Sequence, residues 1–178
     1  EGLIQHLFRE VRGVELDAQF PRMTYAEAME KYGSDKPDIR FGMEFNDLTE
    51  KAQGNGFVVF DSVEAVLAIN VEGCASYSRK QLDALTNWVK RPQIGARGLV
   101  YVKYNEDGTS KSSVDKFYSE EERKAWLDQC AAKPGDLLLL LCGELDKTRK
   151  QLNELRLHMG TELGLRDPKV FKPLWVVD

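Results

Sequence analysis

Asp136-Leu137-Leu138-Leu139-Leu140-Leu141-Cys142, entered through Pro134-Gly135, is the stretch that decides how this chain folds. Proline and glycine end whatever precedes it. The apolar run is too short for a core helix and shows no polar alternation. It reads as a strand with both faces buried, central in a sheet or covered on both sides. It is also the longest apolar run in the chain. Because it falls far short of the roughly 20 residues that cross a bilayer, no membrane span is expected.

Working upstream, Ser119 and Glu122 have the spacing of a capping box and open a helix that runs to Ala132. Leu99-Val100-Tyr101-Val102-Lys103-Tyr104 is rich in strand formers. A turn at Asn105-Glu106-Asp107-Gly108 follows, extended as a loop to Ser113. Residues 79–90 place Leu82, Leu85, Trp88 and Val89 on one side of a helix, with Ser78 as its cap. After the break at Gly54-Asn55-Gly56, residues 57–60 and 65–69 read as strands. Residues 55–144 thus form a self-contained unit in β-β-α-β-α-β order.

Further out, Leu3, Ile4, Leu7, Phe8 and Val11 recur at helical spacing, with Gly13 as the stop. Thr24 and Glu27 form another capping box, for a helix from Tyr25 to Tyr32 that ends at Gly33. Pro37 keeps Lys36 out of the helical region, so 34–40 is a polar turn. Downstream, Leu145, Leu152, Leu155, Met159 and Leu163 mark a long amphipathic helix. Pro168 and Pro173 delimit a loop, and 174–177 is a last strand. The expected blocks are 1–45, 55–144 and 145–178, in an α+β fold. The chain lacks a starting Met and stops on Leu174-Trp175-Val176-Val177-Asp178, so it is expected to be a piece of a longer protein.

Composition narrows the function. With 25 basic and 29 acidic residues the net charge is -4, which argues against a protein living on non-specific nucleic-acid binding. No DNA partner is expected, although a local basic face is allowed. Cys74, Cys130 and Cys142 form no CxxC pair, and the only histidines are His6 and His158. No zinc knuckle, disulfide framework or other metal site is expected, and a reducing, cytoplasmic setting fits. No phosphate loop, nucleophile elbow or HExxH is present, so no active site can be assembled.

Two groups of side chains carry candidate chemistry. Ser34, Asp35, Lys36, Asp38 and Arg40 crowd one turn, where they could position a phosphate or carboxylate. The alternative is a helix-end loop whose charges pair with each other. Arg79, Lys80, Arg97, Lys103 and Lys116, interleaved with Tyr77, Tyr101 and Tyr104, could face RNA. The alternative is a solvated surface, diluted by Glu106, Asp107, Asp115, Glu120, Glu121 and Glu122. His6 and His158 read as boundary residues, and Cys130 and Cys142 as small core hydrophobes.

Several stretches together resemble bacterial-type aspartyl-tRNA synthetases, a class II family. They are Phe20-Pro21-Arg22-Met23-Thr24-Tyr25, Tyr32-Gly33-Ser34-Asp35-Lys36-Pro37-Asp38-Ile39-Arg40-Phe41, Ser78-Arg79-Lys80, Gly95-Ala96-Arg97-Gly98-Leu99, Lys116-Phe117, Pro134-Gly135-Asp136 and Leu174-Trp175-Val176-Val177-Asp178. The order and spacing match along essentially the whole chain.

The resemblance implies that 55–144 is a GAD domain, a two-layer α/β module with a mostly antiparallel sheet and helices on one face. In this family it is inserted between pieces of the class II catalytic domain, here 1–45 and 145–178. It implies a parent enzyme, a homodimer, that uses ATP and Mg2+ to activate aspartate and transfer it to tRNA. The family's ATP-binding motifs and its anticodon-binding domain lie outside this chain. The chain alone is therefore expected to be inactive and to hold no cofactor. On this reading Arg79, Lys80, Arg97, Lys103 and Lys116 are candidate tRNA contacts, and the 34–40 loop borders the catalytic domain. The alternative is a non-catalytic structural or protein-interaction module. One contiguous basic face would favour RNA; an exposed apolar patch would favour protein contact.

Overall fold

Capping chemistry starts three helices at the residues the sequence marks. Thr24 Oγ1 accepts from the Glu27 N–H at 3.1 Å, and the Glu27 carboxylate accepts from the Thr24 N–H at 2.8 Å. Ser78 with Gln81, and Ser119 with Glu122, repeat the arrangement. Each box satisfies amide groups that a helix start leaves without partners.

The computed structural model describes residues 1–178. In chain order the elements are α1 (Gly2–Arg12), β1 (Arg22–Thr24), α2 (Tyr25–Tyr32), β2 (Asn46–Asp47), α3 (Thr49–Ala52), α4 (Val58–Asp61) and β3 (Ala65–Val71). There follow α5 (Arg79–Val89), β4 (Val100–Tyr104), β5 (Ser110–Ser112), α6 (Glu120–Gln129), β6 (Leu137–Gly143), α7 (Leu145–Glu162) and β7 (Trp175–Val177).

The main sheet has five strands in the order β2-β3-β6-β4-β5, and every neighbouring pair is antiparallel. The leucine-rich strand β6 is its centre, as its two-sided apolar pattern requires. Leu137, Leu139 and Leu141 point into one core with Leu82 and Leu85 of α5 and Leu152, Leu155 and Met159 of α7. Leu138 and Leu140 point into a second core with Phe60 of α4 and Trp126 and Leu127 of α6. Burying each such leucine stabilises the fold by about 2 kcal/mol relative to exposure. The α+β class and the antiparallel sheet agree with the sequence reading, while the helices cover both faces instead of one. A strand that is apolar on both sides needs two covers.

Three local readings also change. Residues 57–60, expected as a strand, start a single helical turn: the Phe60 and Asp61 N–H groups donate to the Phe57 carbonyl at 2.8 and 3.0 Å. The edge position beside β3 is taken by β2. Within the 105–113 loop, 110–112 is strand β5, paired with β4 through Lys103 and Lys111. Finally, β1 pairs in parallel with β7, joining the two ends of the chain in a small second sheet. Helix α1 contributes no buried residue, and Leu3 and Val11 lie exposed.

Candidate functional site

The 34–40 loop leaves α2 at Gly33, whose φ of +67° is costly for any residue with a Cβ. Lys36 donates its N–H to Ser34 Oγ at 3.1 Å, closing a local turn. Asp38 then receives both sides of the Arg40 guanidinium, at 2.9 Å from Nε and 2.6 Å from Nη2, and Arg166 Nε at 3.2 Å. These bonds, the Arg40 pairing above all, hold the Asp38 carboxyl down at about 2. Arg40 Nη1 also donates to the Asp167 carbonyl at 2.8 Å. Asp35 and Lys36 face solvent and pair at 3.5 Å. Asp38 and Arg40 are thus committed to each other. Ser34 and Asp35 border an open polar cleft of about 590 Å3, shared with Tyr25, Gln93, Lys147 and Lys150.

The residue that anchors this loop is one that sequence reasoning missed. Arg156 of α7 is fully buried. Its Nη2 donates to the carbonyls of Asp38, Phe41 and Gly42 at 2.9, 2.8 and 2.7 Å. Its Nε donates to Gly42 and Met43 at 3.1 and 3.2 Å. The guanidinium carbon lies 4.1 Å from the Phe41 ring centroid and 4.8 Å from that of Tyr32. Desolvation lowers its pKa to about 10, so it stays charged at neutral pH. Gly160 sits one turn on, where a Cβ would come within 2.6 Å of the Phe41 ring. A signal was present: Arg156 interrupts the apolar stripe Leu152, Leu155, Met159.

The five basic candidates do not form one face. Arg79 and Lys80 open α5, close to Lys103, whose ammonium donates to the Tyr77 carbonyl. Lys103 is opposite Leu137, at the start of β6. Arg97 borders clefts with Cys142, Gly143 and Lys147, at the far end of that strand. The seven residues of β6 put roughly 20 Å between the two ends. Lys116 lies on the Arg97 side, next to Phe117, whose ring is 4.8 Å from that of Phe57. Arg79 is within 3.9 Å of Asp83, an exposed pair of little energetic weight.

No three His, Cys, Asp or Glu side chains converge on a metal site. Of the loop's cations, Arg40 is committed to Asp38 at 2.6 Å, while Lys36 is exposed beside Asp35. His158 stacks on Trp88 at 4.3 Å and 10° and lies 3.6 Å from Glu162, a boundary position between α5 and α7. Burial pushes the Cys130 thiol up to about 12 and raises that of Cys142.

Residues 59–152, from within α4 through the sheet to the first turns of α7, match the family model described as the GAD domain. The chain belongs to the GAD domain family. Its relatives extend the likeness beyond the GAD domain to all 178 residues. An aspartate–tRNA ligase of Flavobacterium psychrophilum is 57% identical over 178 residues, covering 100% of this chain and 30% of the relative. Aspartate–tRNA ligases of Bacteroides fragilis and Porphyromonas gingivalis are 57% and 55% identical over 179 residues, again covering 100% of this chain. The chain spans 31% and 30% of those two relatives. No helix is long and apolar enough to cross a membrane.

Proposed function

We propose that this chain is the GAD-bearing part of an aspartate–tRNA ligase. The whole protein would activate aspartate with ATP and Mg2+ and transfer it to tRNA, as a cytoplasmic homodimer. The observation that carries this reading is the 57% identity over the full 178 residues to the Flavobacterium psychrophilum ligase. Residues 55–144 are assigned to the GAD domain, and 1–45 and 145–178 to the flanking catalytic domain. The groups that bind ATP and Mg2+ are assigned to parts of the protein outside this chain. The test is aspartate-dependent exchange of pyrophosphate into ATP. A protein extended to the length of the relatives should show exchange, and the 178-residue chain should show none. Turnover by the short chain, or none by the long one, overturns the assignment.

Within that reading Arg79 and Lys80 are the best candidates for tRNA phosphates, because both are exposed at one helix start. Lys103 serves beside them by holding the Tyr77 carbonyl. Arg97 and Lys116 would need a second contact on the far side of the sheet. The 34–40 loop is assigned a site-bordering role through Ser34 and Asp35, which line the polar cleft. Replacing Arg79 and Lys80 by Gln should lower the salt slope of tRNA binding by about two. An unchanged slope removes these contacts.

A second reading, a protein-interaction module, has its own support. Val58, Val59 and Phe117 are exposed by 72, 47 and 46% around the Phe57 ring, a patch that solvent alone does not favour.

A further inference from the structure

Lys147, Lys150, Gln151 and Glu154 fall at i, i+3, i+4 and i+7 along α7 and so share one face. That face is one wall of the open polar cleft of about 590 Å3, with Tyr25 and Met29 of α2 and the Gln93-Ile94 segment opposite. Gln151 is the unusual member. It is only 6% exposed, yet its carboxamide makes no hydrogen bond. The amide reaches the 93–95 segment, where a Cβ on Gly95 would stand 3.8 Å from Nε2. It lines this cleft and the smaller polar one beside it. A buried amide without partners costs stability, so one held open to a cleft is set up for a ligand that supplies them.

The rest of the lining says which ligand. Lys147 and Lys150 are exposed at the rim, and neither ammonium makes an ion pair or side-chain hydrogen bond. Of the two carboxylates there, Asp35 pairs with Lys36 and Glu154 is free. Two free cations against one free anion suit a ligand with a single negative charge. A phosphodiester carries one, whereas the phosphate of a free mononucleotide carries nearly two. Beside the charges stand the carboxamides of Gln93, Gln151 and Asn153, and the Tyr25 ring. A carboxamide sets a donor next to an acceptor, the complement of the adenine N6 and N7 edge, and an aromatic ring stacks an unpaired base.

We propose that this cleft holds one unpaired adenosine of an RNA strand, with its base edge on the Gln151 carboxamide, its ring against Tyr25 and its phosphodiester on Lys147 and Lys150. RNA as the source rests on the tRNA ligase reading above. The cleft lies past the far end of α5 from Arg79 and Lys80, and the 11 residues of that helix span roughly 16 Å. It is therefore a separate contact.

The probes are the trinucleotides U-A-U and U-U-U and free AMP, each added to the 178-residue chain. Binding is read by backbone amide shifts and by the side-chain NH2 resonance of Gln151. U-A-U should move that resonance and residues 93–95 and 147–154, and should bind about fivefold more tightly than U-U-U. Gln151→Met should level the two trinucleotides. The amide has no partner to lose, so the urea midpoint should not fall. Lys147→Gln combined with Lys150→Gln should lower the salt slope of U-A-U binding by about 0.7, the worth of one single-strand phosphate. AMP should bind more weakly than U-A-U. Equal affinity for the two trinucleotides, tighter binding of AMP, or shifts only elsewhere overturns the proposal. Pyrophosphate exchange by the extended protein fails separately. Exchange without a trinucleotide preference removes the adenosine pocket alone, and a preference without exchange removes the ligase assignment alone.

Discussion

Two arginines placed along α7 show how differently one side chain is used. Arg156, towards its C-terminal half, is buried and shares its donors among the carbonyls of Asp38, Phe41, Gly42 and Met43. Arg97, beside its N-terminal turn, is exposed, borders apolar surface and pairs with nothing. The buried cation costs desolvation energy that its hydrogen bonds offset, so it holds structure. The exposed one costs nothing to leave unpaired, so it is free for a ligand. Bonding, more than the presence of charge, separates a structural arginine from an available one.

The sharpest way to break this contrast is Arg156→Met. It leaves several carbonyls without donors, and about 3–5 kcal/mol of stability should be lost in urea unfolding. Arg156→Lys should recover little, because an ammonium cannot span the same carbonyls. Next is Gly33→Ala, which forces a Cβ at φ +67° against the Arg149 backbone. We expect roughly 2–3 kcal/mol of destabilisation, read by the same measurement.

The Asp38 carboxyl gives a pH signature of comparable size. Its folded pKa of about 2 is below the ordinary value near 3.8. Stability from the Asp38–Arg40–Arg166 cluster is therefore complete above about pH 4 and lost as pH falls towards 2. About 2 kcal/mol should disappear across that window. Asp38→Asn should remove this dependence while leaving the rest of the acid transition. The smallest effect is on the other side of the comparison. Arg97→Met should change stability by less than about 0.5 kcal/mol. A larger loss would mean that Arg97 is tied into the fold after all.

The legible parts of this molecule are those written in neighbouring residues. Thr24 with Glu27, Ser78 with Gln81 and Ser119 with Glu122 are three-residue relations, and each starts its helix in place. The unbroken leucines of β6 announce a strand with two covers. The four-residue turn α4 is not legible, because Phe57, Val58, Val59 and Phe60 suit a strand as well as a helix. Whether the basic candidates share one face is not written in the sequence, where Arg97 and Lys103 stand close together. A strand lies between them, and it carries them towards opposite ends of the sheet.

Hydrophobic period and capping, which act over three or four residues, were enough to set the helix starts, the central strand and the α+β class. Which loop Arg156 grips, which strand takes the edge beside β3, and which cation is left free depend on residues far apart in the chain. The Asp38–Arg156 bond alone joins residues 118 apart. Such contacts leave no periodic trace in the chain, because either partner could have met a different neighbour until the sheet closed.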